Sequence, residues 1–146
     1  MSGPTDPAEA HFDKGLWGFD GTVWRKLPML WGYSDRYAET ESNLSAAAGF
    51  NWLVFSTVPA GEVWVVSGMA WVNVNTACSL IAADMYDGAD LYTLYYEGTP
   101  AANVYKTIQC DIVLKEGDCL KVLFGGCALN DDIYAWAFGY KMAIAE

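Results

Sequence analysis

Ile133-Tyr134-Ala135-Trp136-Ala137-Phe138-Gly139-Tyr140-Lys141-Met142-Ala143-Ile144 closes the chain with a strict period of two. Tyr134, Trp136, Phe138, Tyr140, Met142 and Ile144 fall on one face, and Ala135, Ala137, Gly139, Lys141 and Ala143 on the other. Successive side chains of a strand point to opposite sides, so this alternation predicts a β-strand. Its aromatic face is expected to serve one sheet of a sandwich. Its Ala/Gly face permits close approach of another layer, either a second sheet or a second subunit. Ala135, Trp136, Ala137, Phe138, Gly139 and Tyr140 are therefore the candidate oligomer interface.

Upstream the same period continues. Val104, Ile108, Cys110, Ile112 and Leu114 alternate with Tyr105, Thr107, Gln109 and Asp111, with Lys106 as the exception. Lys115-Glu116-Gly117-Asp118 has turn chemistry, and Cys119 to Phe124 is expected to return antiparallel. That hairpin would set Leu114 opposite Cys119, and Cys110 opposite about Leu123. Asn130-Asp131-Asp132 turns the chain again.

Earlier, Phe50 to Val58 reads as a strand and Pro59 to Glu62 as a turn. Glu62 to Val74 is apolar on both faces, which suits a central strand, with Gly68 marking a bulge or bend. Cys78 to Tyr86 and Leu91 to Glu97 form a pair across Asp87-Gly88-Ala89-Asp90. About seven or eight strands after residue 49, joined by short turns, predict an all-β antiparallel sandwich of the jelly-roll type.

The first third of the chain is different. Residues 1–15 read as an extended arm, because Pro4 and Pro7 disfavour helix. Residues 16–49 read as a hairpin and linker ahead of a sandwich over 50–146. Asp20-Gly21 is a two-residue hairpin signal that pairs Phe19 with Thr22, Gly18 with Val23 and Trp17 with Trp24. Leu16-Trp17-Gly18-Phe19 recurs as Leu30-Trp31-Gly32-Tyr33. Ser34 to Gly49 is polar, then Ala-rich, and reads as a loop or a single helical turn.

Composition narrows the function classes. The 146 residues carry 18 acids against eight Lys and Arg, a net charge of −10. Residues 50–146 hold eleven acids and four lysines, with no Arg. Such a surface repels phosphate backbones, which excludes nucleic acid as an expected partner. No apolar run has the length of a membrane span, and residues 1–10 do not resemble a signal peptide. Cys78, Cys110, Cys119 and Cys127 lie in or beside apolar strands without a CxxC pair, and read as buried thiols.

The lone histidine, His11, lies in the arm and cannot serve a nucleophilic triad set in the strands, nor a zinc site. Glu62, Asp84, Glu97 and Asp111 are candidates for a paired-carboxylate hydrolase, but acids at turns are expected for backbone reasons. Asp84, Asp87 and Asp90 lack the ligand spacing of a calcium loop. The tryptophans Trp52, Trp64, Trp71 and Trp136 fall where alternation would bury them, or else form a sugar-binding face. No enzyme activity, metal or cofactor is expected.

Two stretches resemble known families. Leu114-Lys115-Glu116-Gly117-Asp118-Cys119-Leu120, followed by a strand, a loop and a terminal aromatic strand with Phe138-Gly139, resembles the end of trimeric jelly rolls. The tumour-necrosis-factor fold and the globular heads of complement share that ending, and the likeness covers roughly residues 50–146. Gly18-Phe19-Asp20-Gly21-Thr22-Val23-Trp24-Arg25-Lys26-Leu27 resembles short segments in structural proteins of tailed bacteriophages. Val58-Pro59-Ala60-Gly61-Glu62-Val63-Trp64 is similar to a strand entry in the same proteins. The resemblance implies a capsid decoration protein: a homotrimer, made in the host cytoplasm, that binds the major capsid protein or another virion protein. Trp17, Phe19, Asp20, Trp24, Arg25 and Lys26 would then contact the partner, the basic pair meeting an acidic shell. The alternative is a carbohydrate-binding module at a tail or fibre tip.

Overall fold

The computed structural model describes residues 17–19, 24–26 and 29–145, with side chains from 35 to 144. It is all-β. A small antiparallel pair, β1 (Trp17–Phe19) and β2 (Trp24–Lys26), precedes eight longer strands. These are β3 (Met29–Ala46), β4 (Gly49–Val54), β5 (Glu62–Asn73), β6 (Leu80–Tyr86), β7 (Leu91–Gly98), β8 (Lys106–Leu114), β9 (Cys119–Cys127) and β10 (Asp131–Ala145). They form two antiparallel four-stranded sheets, in the orders β3-β10-β5-β8 and β4-β9-β6-β7. From β3 onward only the β6–β7 connection stays within a sheet; each other connection crosses between the two. This is the jelly-roll arrangement.

Three expectations are corrected by this topology. The stretch 34–49 is not a loop or helical turn, because β3 runs through it and pairs along most of β10. It supplies the eighth strand of the sandwich. Its polarity concealed it: β3 is an edge strand, and its inward register carries Glu39, Glu41 and Asn43 as well as Tyr37. Charged residues turned inward are one way in which an edge strand avoids pairing with other chains.

Secondly, Lys115–Asp118 is not a hairpin. β8 pairs with β5, while β9 pairs with β4 and β6 in the other sheet. The local chemistry is a turn as expected, with Gly117 at φ 89° and Asp118 N–H donating to the Lys115 carbonyl at 3.0 Å. The turn is held from outside by Gly117 N–H to the Val58 carbonyl and by Val58 N–H to the Asp118 carbonyl. The chain therefore arches between sheets, and Cys110 does not face Leu123.

Thirdly, β1 pairs with β2 two residues later than expected: Trp17 faces Lys26, Gly18 faces Arg25 and Phe19 faces Trp24. Loop length fixes hairpin register, and four residues, not two, separate these strands. The Trp17–Trp24 pair is not formed. Asp20, Thr22 and Val23 lie outside the described residues.

The core lies between the sheets. Trp71, Met69 and Val66 from β5 meet Leu120, Val122 and Phe124 from β9, with Ile81 and Ala83 from β6. Trp71 packs on Tyr95 of β7 at 5.3 Å between ring centroids, linking the two sheets. β10 contributes Ile133, Ala135 and Ala137, all buried. The small face of β10 thus points inward and the aromatic face outward. Sheets pack about 10 Å apart, so large rings from one side need small residues opposite.

Gly139 marks the tightest point. A Cβ there would lie 1.9 Å from the Val65 carbonyl oxygen, because β5 bulges between Val66 and Gly68 against β10. The bend expected at Gly68 is that bulge, and the Phe138 ring covers Gly68.

One buried carboxylate ties the sandwich end together. Asp131 Oδ2 accepts from Asn73 Nδ2 and Ala128 N–H, each at 2.8 Å, and from the Thr76 hydroxyl. Burial pushes this carboxyl up, but the three donors outweigh that and hold it below the usual range.

Gly139→Ala is expected to lower the unfolding free energy by about 3 kcal/mol and Ala137→Leu by roughly 1–3 kcal/mol. Gly98→Ala, where an added Cβ meets only Tyr96 at 4.0 Å, should change it by less than about 0.5 kcal/mol. Urea denaturation of the three variants measures this. Asp131→Ala should cost roughly 2–4 kcal/mol by orphaning buried donors. The Asp131 contribution should be complete above about pH 5 and be lost as pH falls through its lowered folded-state value. Wild type should therefore lose stability on acidification more steeply than Asp131→Ala.

Candidate interaction surfaces

Because the aromatic face of β10 points outward, the first sheet presents it to the surroundings. Register lines this face up in rows across the strands. Thr40, Trp136, Ala70 and Thr107 form one row, and Ala38, Phe138, Gly68 and Gln109 the next. Ser42, Tyr134 and Val72 form a third. None of these residues is charged, in a chain of net charge −10. Tyr134 and Trp136 stack with centroids 5.8 Å apart and planes 7° apart, and Tyr105 leans on Trp136 at 5.9 Å. Val72, in register beside Tyr134, is wholly buried although its register turns it outward. Phe138 is 41% exposed and Tyr105 64%.

The second sheet repeats the arrangement. Trp52, Leu123, Ala82 and Tyr96 form an uncharged row across β4, β9, β6 and β7. Beside it, Phe50 and Leu80 close over Gly125, whose added Cβ would lie 2.9 Å from each. Phe50 is 67% exposed, Trp52 43% and Tyr96 62%. Charge returns one row on, where Lys121 pairs in register with Asp84.

A third feature lies where β3, β5 and β10 meet the segment after β4. A pocket of about 270 Å³ is lined by Arg36, Tyr37, Glu39, Ser56, Trp64 and Lys141. Glu39 Oε1 accepts from Ser56 N–H and Oγ–H, both at 2.8 Å, and Oε2 accepts from the Tyr37 hydroxyl at 3.2 Å. Tyr37 packs on Trp64, over whose ring Lys141 sits at 4.5 Å. Glu39 thus spends its carboxylate joining β3 to the other sheet. Burial, then the Glu39 charge, raises the neighbouring Glu41 carboxyl.

The expected site residues fare unequally. Of the oligomer set, Ala135 and Ala137 are buried within the subunit and offer no surface. Gly139 lies against the β5 backbone. Trp136 and Phe138 belong to the outward face. Of the partner set, β1 and β2 place the backbones of Trp17, Phe19, Trp24, Arg25 and Lys26 in one small ladder. Trp64 and Trp71 are core residues as expected, while Trp52 and Trp136 are not.

The acids considered for hydrolysis have separate engagements. Glu62 accepts from Trp64 Nε1, and Glu97 lies 3.9 Å from Lys106. Asp84 is buried in β6, and Asp111 is exposed on β8. Asp87 accepts from Ala89 and Asp90 N–H as a turn residue, and those bonds hold its carboxyl below the usual range. No group of three or more metal-ligating side chains occurs among the described residues. Cys78, Cys119 and Cys127 are buried thiols as expected, whereas Cys110 is half-buried.

Phe50, Val54, Tyr96 and Tyr105 were missed as surface residues. The signal available was the alternation in Phe50-Asn51-Trp52-Leu53-Val54, which puts two large apolar side chains beside Trp52 on one face.

Comparison with known proteins gives fold-level likeness only. No family model matches the chain, and no curated protein matches it. Among solved structures it is similar to the tobacco streak virus coat protein, at 14% identity over 73% of this chain and 86% of that one, with a TM-score of 0.40. It is similar to the Drosophila NLP core, described for pentamer formation and histone binding, at 14% identity over 74% and 98%, with a TM-score of 0.35. It is also similar to infectious bursal disease virus, Gx strain, at 10% identity over 87% of this chain and 36% of that one, with a TM-score of 0.36. Two of the three are viral proteins. None of these three reaches a TM-score of 0.5, and no function passes from them to this chain.

Replacing Trp136 with Ser should leave the fold intact and change stability by less than about 1.5 kcal/mol, since the side chain faces outward. Trp71→Ala should cost about 3–5 kcal/mol. Thermal melts of the two variants, read against wild type, check which tryptophan belongs to the core.

Proposed function

We propose that this chain is a structural subunit of a virus particle, a decoration protein of tailed-phage type that docks through its sandwich faces and its leading hairpin. The observation that carries the reading is the uncharged, aromatic rows on both outer sheet faces of a strongly acidic chain. Monomeric proteins rarely expose contiguous apolar patches beyond a few hundred Å². Interfaces are enriched in aromatic residues and depleted of charge at their centres. Here both outer faces have that composition. Copies with net charge −10 repel at a distance, so contact is favoured where charge is absent.

The leading segment adds a second kind of contact. Arg25 and Lys26 are an adjacent basic pair in an acidic chain, carried on β2. With Trp17, Phe19 and Trp24 they supply aromatic anchors and positive charge for a partner that is itself acidic, as the resemblance to phage segments implies. Several weak contacts per subunit, repeated over an oligomer, add up by effective concentration. A homotrimer on the major capsid protein is the form this reading takes.

A second reading is favoured by one observation. Trp52 is exposed beside Phe50 on β4, as a sugar-binding face at a tail or fibre tip requires.

Light scattering of the full chain, alone and with isolated capsids, separates the two. The structural reading predicts an oligomer in solution or on the shell. Trp136→Asp should weaken that association by at least about tenfold, and deletion of residues 1–27 should weaken capsid binding. A chain that stays monomeric, ignores capsids and binds glycans on an array would establish the second reading instead.

A further inference from the structure

The two cysteines at one end of the second sheet face each other. The β6–β9 ladder pairs Leu80 with Gly125. Cys78 lies two residues before β6, in the segment that enters it, and Cys127 is the last residue of β9. Between them Ser79 presses on Gly126, where a Cβ would lie 2.8 Å from Ser79 Oγ. One amide spans both sulfurs: Asn73 Nδ2 donates to Cys78 Sγ at 3.4 Å and to Cys127 Sγ at 3.9 Å. Both are free and buried. The other cysteines are set apart: Cys110 lies in the first sheet near the Val66 carbonyl, and Cys119 opens β9 opposite Tyr86.

We propose that Cys78 and Cys127 are an oxidisable pair that closes to a disulfide within the folded protein, fastening the entry of β6 to the end of β9. The Asn73 amide already holds both sulfurs, so they can join with no change of topology. The oxidant is a peroxide. One thiolate attacks the O–O bond, forming a sulfenic acid and releasing hydroxide, which takes up the thiol proton as water. The second thiolate attacks the sulfenic sulfur; the S–O bond breaks, the S–S bond forms, and a second water leaves. Two thiols are oxidised and one peroxide is reduced to two waters.

Burial first, then the neighbouring thiol and Asp131, push the Cys127 thiol up to about 11. Thiolate is therefore scarce near neutrality, and the pair answers to sustained rather than brief oxidant. The bridge would enclose the β6–β9 span, including β7 and β8. Cross-links over long loops restrict the unfolded chain most. A subunit made reduced would be stabilised after it meets an oxidising medium.

The test treats the folded full chain with hydrogen peroxide. Alkylation under denaturing conditions and mass spectrometry follow. The expected product is lighter by about 2 Da before alkylation, takes up two alkyl groups instead of four, and yields a linked peptide joining Cys78 to Cys127. Dithiothreitol should reverse it, and the oxidised form should melt on the order of 5–10 °C higher. The double variant Cys110→Ser/Cys119→Ser should still close the bridge, and Cys78→Ser should not. Four alkylatable thiols after prolonged oxidation of the wild type would overturn the proposal. So would linked peptides joining other cysteines, or joining two chains. The wild-type peptide map decides the matter even if Cys78→Ser fails to fold.

Discussion

The structure depends on how closely β10 lies between its neighbours and beneath the opposite sheet. Ala135, Ala137 and Gly139 are the residues that permit it. At Gly139 there is no room for a methyl group beside the Val65 carbonyl. Beside Ala135 and Ala137 in register stand Trp71 and Met69 of β5, whose large side chains share the buried core with Phe124 of β9. A strand has only two faces. Once the inner one is committed to small residues, its aromatic side chains must go outside. The surface of Tyr134, Trp136 and Phe138 is thus a direct consequence of how the core is packed.

That consequence links fold to function. Exposed aromatic surface carries an aggregation risk and is tolerated where something covers it. Here the rings of the first sheet lean on one another, and Phe50 and Leu80 of the second close over Gly125. Such local packing reduces exposure without removing it. The edges are managed differently: β3 turns Glu39 and Glu41 inward, which discourages lateral pairing. The chain guards the β3 edge while keeping whole rows of its faces uncharged. That combination suits a subunit that meets partners face-on and does not extend its sheets into theirs.

Much of the fold was legible in the residues, because alternation reports which side chains share a face. β5 and β10, the turns at Gly61, Gly88 and Gly117, and the sandwich class all follow from it. Alternation does not report neighbours. Leu114 and Cys119 flank a turn that would serve a hairpin or an arch equally, and only the partners of β8 and β9 decide between them. Nor does it say which face is inward. Ranking by hydrophobicity places Trp136 inside and Ala137 outside, whereas the core selected by volume. β3 was hidden for a third reason. Glu39 and Glu41 on the inward register erase the apolar stripe, and the hydrogen bonds from Ser56 and Tyr37 that make Glu39 tolerable there come from residues distant in sequence or two positions away.

The same distinction governs what could be read of the site. The cysteines look equivalent in sequence, four thiols in apolar surroundings. What separates them is the tertiary structure, which places Cys78 and Cys127 around one Asn73 amide. Asn73 in turn donates to Asp131, whose other donors fix the turn that starts β10. The end of the sandwich is therefore one connected unit: thiol pair, amide, carboxylate, and the first residues of the strand whose aromatic face looks outward. A covalent bond at one end of that unit would stiffen the base of the strand carrying Tyr134 and Trp136.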